Sequence, residues 1–506
     1  MKKALISVSD KTNIVEFAKG LIENNYEIIS TGGTLKHLRD NDINCISIDN
    51  FTDFPEILEG RVKTLHPKVH GGLLSKRDDE NHIKEIKENN IEYIDLVCVN
   101  LYPFEETLKK ENVKDEEIIE NIDIGGPSML RSAAKNFKYV TVVTDISDYQ
   151  VVLDEIAKNG DTSLETRAYL AAKVYNKTAY YDSIIAKYFN QKYNLNPEKI
   201  ILTFTKENNL RYGENPHQSA THYIDDNNTS YALQNAEQLH GKKMSYNNIQ
   251  DASAALDILQ EFDETVCVAL KHMNPCGVSL GETVYDAYMG AYNADPVSIF
   301  GGIVAINGKV DVKTAEQMHK IFLEIILAED YEDEALDILK SKKNLRIYKI
   351  PRKNNNNPKL IKSVRGGILV QDYDDKLVDE IITVTKKQVS QEKIKDLLFA
   401  YKIVKHVKSN AIVLVKNGQT IGVGAGQMNR VGSCQIALEQ AGEKANDAVL
   451  ASDAFFPMRD SVDLAAKYGI SSIIQPGGSI KDQESISACD ENGISMVFVK
   501  MRHFKH

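Results

Sequence analysis

A chain of 506 residues is too long for one hydrophobic core and is expected to divide into a few domains. With 42% apolar and 26% charged residues and a formal net charge of −11, it has the composition of an ordinary globular protein, and the acidic balance excludes a general nucleic-acid binder. No stretch approaches the roughly 18 unbroken apolar residues of a spanning helix. No leader or membrane span is expected, and six scattered cysteines without a C-x-x-C pair read as free thiols in a reducing, cytoplasmic setting.

Residues 4–8 read as a buried strand. Ile14, Ala18, Leu21 and Ile22 then recur at helical spacing, with Asp10 or Thr12 as a cap. Residues 26–30 are strand-like and end in Thr31-Gly32-Gly33-Thr34, which opens another helix. Further strands at 95–100 and 139–144 and a long helical pattern over 164–189 complete a β-α-β-α rhythm. That rhythm predicts a mainly parallel sheet covered on both faces, followed by a polar linker at 190–197.

From residue 200 the α/β rhythm resumes and occurs twice. The first pass has a helix near 249–262, a strand at 266–270, a helix, and a strand at 303–306. The second has a helix at 392–406, strands at 411–415 and 420–423, a helix, a strand at 449–452, a further helix, and strands at 473–475 and 496–499. A first domain of 1–199 and a duplicated second domain of 200–506, with units of about 200–375 and 376–506, are therefore expected. The asparagine run at 354–357 reads as a solvated loop.

Three segments of the first domain carry groups suited to an anionic ligand. In Thr31-Gly32-Gly33-Thr34 the glycines allow close backbone approach, and the following helix offers unpaired N–H groups, although a purely structural turn would look the same. Arg61, Lys63, His66, Lys68 and His70 set five basic or titratable side chains within ten positions, ahead of Gly71-Gly72. Asp123-Ile124-Gly125-Gly126-Pro127-Ser128 opens a helix on which Arg131 and Lys135, four apart, share a face. Asp123 could accept from an amide or amine, or simply cap that helix.

In the second domain, Leu210-Arg211-Tyr212-Gly213-Glu214-Asn215-Pro216-His217-Gln218 packs many functional groups into one loop. Lys271-His272 ends an apolar strand, the position at which α/β folds build their sites. Pro275-Cys276 matches half of a zinc deaminase signature, but no second cysteine follows at the right spacing and no histidine has a glutamate two places on, so no metal site is expected. Walker A and complete dinucleotide fingerprints are absent from the sequence. Asp453-Ala454-Phe455-Phe456-Pro457 could stack a flat heterocycle, and the tail Arg502-His503-Phe504-Lys505-His506 is basic and aromatic.

Together with Ser7-Val8-Ser9-Asp10-Lys11 and Asn100-Leu101-Tyr102-Pro103-Phe104, these segments resemble the AICAR transformylase/IMP cyclohydrolase family along essentially the whole chain (AICAR is aminoimidazole carboxamide ribotide). The resemblance implies a methylglyoxal-synthase-like first domain performing the cyclohydrolase step. There Ser9, Lys11, Thr31, Gly32, Gly33, Thr34, Arg61 and Thr64, with Asn100 and Gly125, would hold the ribotide, and Lys63, Tyr102, Asp123 and Lys135 would surround the ring-closing atoms. It implies a transformylase built from two cytidine-deaminase-like units without zinc. Arg211, Tyr212, Lys271, His272, Gly301, Asn410, Arg430, Phe455 and Arg502 match positions that bind AICAR. Asp460, Ser479 and Ile480 match the folate side. Met273, Asn429 and Ser461 depart from common family residues, which bears on contact detail rather than on the reaction.

The same resemblance implies 10-formyltetrahydrofolate as co-substrate, formyl-AICAR as intermediate, IMP as product, no tightly bound cofactor, and a homodimer with shared transformylase sites. His272 would be the base of formyl transfer and Lys271 a cation at the developing oxyanion. Two alternatives stand beside this reading: a transformylase whose first domain only senses phosphate, and a zinc nucleoside deaminase.

Overall fold

The computed structural model describes residues 1–225, 231–352 and 359–506, so the asparagine run at 354–357 lies outside the described residues. The chain divides into two units, Met1–Thr203 and Phe204–His506. Among the described residues no helix is long and apolar enough to cross a membrane.

The first unit is built on β1 (Lys2–Val8), β2 (Tyr26–Ser30), β3 (Cys45–Ser47), β4 (Leu96–Asn100) and β5 (Thr141–Val143), in the order β3-β2-β1-β4-β5. All four pairings are parallel. Ala4, Leu5 and Ile6 are fully buried, as a strand covered on both faces requires. The helices that matter to the site are α1 (Ile14–Glu23), α2 (Gly32–Arg39), α3 (Pro67–Leu74), α4 (Gly125–Lys135) and α5 (Leu164–Lys192). Strand order reverses between β1 and β4, and the carboxyl ends of strands at such a switch point leave a crevice for ligands.

Three local expectations change. β3 is only three residues long and gives no periodic signal. No side chain caps α1: Asp10 Oδ1 instead accepts from the Thr12 N–H (2.9 Å) and hydroxyl (2.7 Å), and Asn13 enters the helix with φ +58°. The long helix α5 runs on to Lys192, into the stretch read as linker.

The second unit carries an exposed hairpin, β6 (Thr205–Asn209) with β7 (Thr221–Ile224), and a twelve-stranded sheet. One half of that sheet holds β8 (Glu237–His240), β9 (Val266–Lys271), β10 (Asn274–Leu280), β11 (Ile303–Val310), β12 (Ile325–Tyr331) and β13 (Arg346–Lys349). A further hairpin, β14 (Leu360–Val364) with β15 (Gly367–Gln371), follows. The other half holds β16 (Ile382–Thr383), β17 (Ile412–Lys416), β18 (Gln419–Gly424), β19 (Val449–Ser452), β20 (Ser472–Gln475) and β21 (Ser495–Phe498).

The order β16-β21-β20-β19-β17-β18-β10-β9-β11-β12-β13-β8 repeats itself from its two ends inward. In each half a hairpin, β9–β10 or β17–β18, pairs antiparallel at the centre, and two parallel pairings follow outward. The sheet is therefore mixed, not mainly parallel. β10 escapes the sequence pattern because it opens on Asn274-Pro275 and contains Gly277, all poor strand formers. Helices α6 (Tyr246–Leu259) and α8 (Gln391–Val404) bury a shared core on one face, with the Phe262 and Phe399 rings 5.3 Å apart. The opposite face has a separate core for each half.

The repeat extends to single residues. Gly277 is the fourth residue of β10 and Gly422 the fourth of β18. A Cβ on Gly277 would lie 2.1 Å from the Ala291 carbonyl oxygen on α7 (Val284–Ala294), and one on Gly422 would lie 2.1 Å from that of Ala437 on α9 (Arg430–Ala441). Gly277→Ala and Gly422→Ala are each expected to destabilise the second unit by about 1–3 kcal/mol or more, because helix backbone must shift to admit the methyl. A thermal unfolding midpoint unchanged in both variants would contradict this packing.

Candidate functional site

A cavity of about 600 Å³ opens at the carboxyl ends of β1, β2 and β4, beside the switch point. Ser9, Lys11, Thr31, Gly32, Gly33, Thr34, Arg61, Lys63, Thr64, Asn100, Tyr102, Asp123 and Gly125 all line it. The β1–α1 loop is held by Asn100, whose Oδ1 accepts the Ser9 and Asp10 N–H groups at 2.5 and 3.0 Å. Thr31 Oγ1 meets Ser7 Oγ at 2.7 Å, and the Thr34 hydroxyl donates to the Val8 carbonyl at 2.9 Å. These two hydroxyls brace the turn, and the first N–H groups of α2 remain for a ligand.

Across the cavity, the buried Thr64 hydroxyl packs on Gly125 at the start of α4. Asp123 Oδ1 accepts the Gly126 N–H at 2.8 Å, closing the entry to that helix. Burial pushes the Asp123 carboxyl above its ordinary pKa, while the Gly126 and Tyr102 N–H groups and the Lys63 charge draw it back. Burial, reinforced by Asp123, Glu56 and Glu120, likewise raises the Tyr102 phenol. Lys63 Nζ lies close to Gly32, 3.6 Å from where a Cβ would stand.

The cavity is not a bare cationic patch. Arg61 is paired with Glu120, and Lys63 Nζ lies 4.0 Å from Glu56. Among the described residues Lys11 makes no ion pair. Its ammonium donates to the Ser9 carbonyl at 3.3 Å. Of the five basic or titratable groups in the 61–70 run, only Arg61 and Lys63 reach the cavity. The cause is α3: His66 caps it through Nδ1 (3.1 Å from the Lys68 N–H), and the turn that follows sends Lys68 to Asp53 (2.6 Å) and His70 to Ser132 (2.9 Å).

Arg131 and Lys135 also fall outside the lining. Arg131 stacks on the Tyr175 ring at 5.4 Å. Lys135 is exposed on the last turn of α4, about 15 Å along the axis from Gly125 at 1.5 Å per residue. Lys135, expected beside the ring-closing atoms with Lys63, Tyr102 and Asp123, thus stands outside the cavity lining that holds the other three. Helix α4 brings its first turn, not its last, to the cavity.

In the second unit, Lys271 and His272 stand at the tip of the β9–β10 hairpin. The two turn residues, His272 and Met273, have φ of +51° and +59°, a left-handed conformation that side chains with a Cβ resist by about 1–2 kcal/mol per residue. Outside help holds the turn. Asp251 Oδ1 accepts the Met273 N–H at 2.8 Å, Asn274 Nδ2 donates to the His272 carbonyl at 3.1 Å, and Asn274 Oδ1 accepts the Lys408 N–H at 3.1 Å. Lys271 Nζ donates to the Phe300 carbonyl at 2.9 Å, next to Gly301, which has φ +70°.

From Lys408 the connections run to a buried polar cluster. Arg430 donates to Asn410 Oδ1 (2.7 Å), to Ser452 Oγ (2.9 Å) and to Asp453 Oδ1. Asp453 Oδ2 accepts the Ser409 hydroxyl at 2.6 Å, and its carbonyl accepts the His503 N–H at 3.0 Å. The C-terminal tail is thus docked: His503 is buried, with its ring against Asp374 (2.7 Å) and the Leu377 carbonyl (2.8 Å). Arg502 stays exposed, over the Phe504 ring at 4.3 Å. The aromatic wall is half as wide as the sequence suggests, because Phe455 is exposed while Phe456 belongs to the core.

Comparison with known proteins decides what these two sets of residues belong to. The family model described as the AICARFT/IMPCHase bienzyme matches residues 133–440, more than half of the chain, and that of the MGS-like domain matches residues 13–128. The chain belongs to the AICARFT/IMPCHase bienzyme family. It is 56% identical to the bifunctional purine biosynthesis protein PurH of Thermoanaerobacter sp. (strain X514) over 508 aligned positions, and 56% identical to that of Bacillus thuringiensis (strain Al Hakam) over 509; both alignments cover 100% of each chain. A crystal structure of ForH matches with 36% identity and a TM-score of 0.35, covering 38% of this chain and 97% of that one.

As an AICARFT/IMPCHase bienzyme, the chain is a formyltransferase and a cyclohydrolase in one polypeptide. The remaining residues singled out from the bienzyme's sequence lie at the surface of its second unit. Arg211 sits over the Tyr212 ring (5.6 Å) in a loop that is closed by the Gly213 N–H to Gln218 carbonyl bond (2.6 Å). Asp460 opens a helix, Asp460–Lys467, and accepts the Ser461 N–H at 2.7 Å. Ser479 accepts from the Lys481 N–H at 3.1 Å, and Ile480 is fully exposed.

Sequence reasoning missed Ser7, Glu59 and Glu120 in the cavity and Asp251, Asn274 and Ser409 around the histidine turn. Glu120 had a signal: an acidic residue three before Asp123 invites pairing with the Arg61 run. Asp251 had none, because nothing in a helical pattern says which strand-end turn its side chain meets.

Proposed function

We propose that the first unit is the cyclohydrolase and the second the transformylase, so that the chain performs the last two steps of IMP synthesis with 10-formyltetrahydrofolate as formyl donor. The observation that carries this reading is the convergence, in one cavity, of a glycine turn at a helix N-terminus with Lys63, Tyr102 and Asp123. The amides of the turn and Lys11 seat the ribotide phosphate. Asp123 takes a proton from the carboxamide nitrogen as it attacks the formyl carbon and returns it to the formyl oxygen, which Lys63 polarises. That oxygen leaves as water with a second proton from the formamido nitrogen, whose electrons close the ring C=N bond. A proton-accepting carboxyl beside an ammonium favours catalysis over phosphate sensing alone.

In the second unit the amine of AICAR attacks the formyl carbon, His272 accepts the amine proton and returns it to the departing folate nitrogen, and Lys271 stabilises the oxyanion. Arg211, Tyr212, Asn410, Phe455 and Arg502 hold AICAR in this reading, Arg430 anchors Asn410, and Asp460, Ser479 and Ile480 face the folate. Given AICAR and 10-formyltetrahydrofolate, the purified protein releases tetrahydrofolate and IMP in equal amounts; release of neither overturns the proposal.

The enzyme works as a cytoplasmic homodimer in this reading, and its six free cysteines suit that compartment. The β14–β15 hairpin supports the dimer: every strand residue except Ile361 is exposed, including Leu360, Val364, Ile368, Leu369 and Val370, and such a ribbon alone is marginally stable in water. Leu369→Asp is expected to shift the sedimentation mass from dimer towards monomer and to impair formyl transfer. A monomeric wild-type protein with full formyl transfer contradicts the shared site.

A further inference from the structure

We infer that Asp251 is a positioning residue for formyl transfer: its carboxylate holds the left-handed His272–Met273 turn and so keeps the His272 imidazole where it meets the substrate amine. The inference rests on the reading of His272 as the base.

The internal repeat supplies the comparison. Asp251 is the sixth residue of α6, and Asp396 is the sixth residue of α8. Each reaches the two-residue turn of the central hairpin in its own half. Asp396 accepts the N–H groups of Asn417 at 2.9 Å and Gly418 at 2.8 Å. Asp251 accepts the Met273 N–H at 2.8 Å, and the His272 N–H faces the same carboxylate.

The turns themselves differ in chemistry. Asn417 and Gly418, with φ of +53° and +69°, are the residue types that adopt this hairpin geometry most readily, so their turn forms without help. His272 and Met273 adopt the same geometry against their preference. Where the sequence makes the turn by itself, the clamp is redundant. Where a histidine and a methionine occupy it, the clamp is what keeps the conformation, and strain retained under external support is characteristic of functional turns.

Among the described residues Asp251 meets the turn through the Met273 and His272 N–H groups, and Lys271 is anchored separately through the Phe300 carbonyl. Removing the carboxylate lets the turn relax and swings the imidazole, while the cation and the AICAR-holding groups stay. The expected signature is a fall in kcat without a matching rise in KM for AICAR.

The test compares Asp251→Ala, Asp251→Asn, Asp396→Ala and the double variant Asp251→Ala/Met273→Gly in the full chain, with His272→Ala alongside. Asp251→Ala should lower the kcat of formyl transfer by roughly 10- to 100-fold with KM for AICAR unchanged. Asp251→Asn, whose amide oxygen still accepts an N–H, should retain most of the rate. Met273→Gly should restore part of what Asp251→Ala loses, because glycine takes a positive φ without clash, and Asp396→Ala should match wild type. Wild-type kcat in Asp251→Ala, an equal loss in Asp396→Ala, or no recovery by either Asn or glycine would overturn the inference. Full activity in His272→Ala would remove the base assignment instead.

Discussion

Replacing His272 with alanine is expected to slow formyl transfer by roughly 10²–10⁴-fold while leaving ring closure at its full rate. The amine of AICAR is a weak nucleophile because its lone pair is delocalised, so its attack needs a proton acceptor in place as the bond forms. His272 is exposed at the tip of a short hairpin that is held by Asp251 and Asn274. The adjacent Lys271 offers no substitute, since an ammonium has donors and no acceptor, and its position is fixed on the Phe300 carbonyl. Tetrahydrofolate release measures the first activity, and conversion of supplied formyl-AICAR to IMP measures the second. Near-normal tetrahydrofolate release would remove His272 from the mechanism.

Asp123→Asn is expected to depress ring closure by a comparable factor, roughly 10²–10⁴-fold, with formyl transfer intact. The amide keeps an oxygen for the Gly126 N–H, so the entry to α4 survives and only proton acceptance is lost. The wild-type pH profile gives an independent check. Burial disfavours the charged carboxylate, so Asp123 stays protonated to higher pH than an ordinary carboxyl. Cyclisation should therefore fall on acidification through a value above the usual aspartate range, and that limb should be absent from the residual activity of the asparagine variant. A wild-type profile that is flat across this range would contradict the assignment of Asp123 as the base.

Much of this arrangement was legible in the residues. Runs such as Ala4-Leu5-Ile6 are buried on both sides and therefore read as strands whatever their context. Glycine turns at strand ends announce the cavity because few other residues permit that approach. What failed did so for physical reasons. β3 is too short to show a period, and β10 begins with residues that strands avoid. Helical spacing correctly put Arg131 and Lys135 on one face but could not say that the face turns to Tyr175 and solvent. Linear clustering overstated the positive charge, because α3 diverts Lys68 and His70 and because Glu120 and Glu56 answer the cations that remain. The clamp on His272 depends on contacts between elements and is visible only in three dimensions.

Mixing the two single variants tests the separation of the two active sites most directly. His272→Ala alone should leave AICAR unreacted, and Asp123→Asn alone should accumulate formyl-AICAR. Combined in one tube with AICAR and 10-formyltetrahydrofolate, they should make IMP, because the intermediate formed by one protein is closed by the other. Failure of the mixture to make IMP, with each variant folded and retaining its other activity, would contradict the assignment of one reaction to each half of the chain.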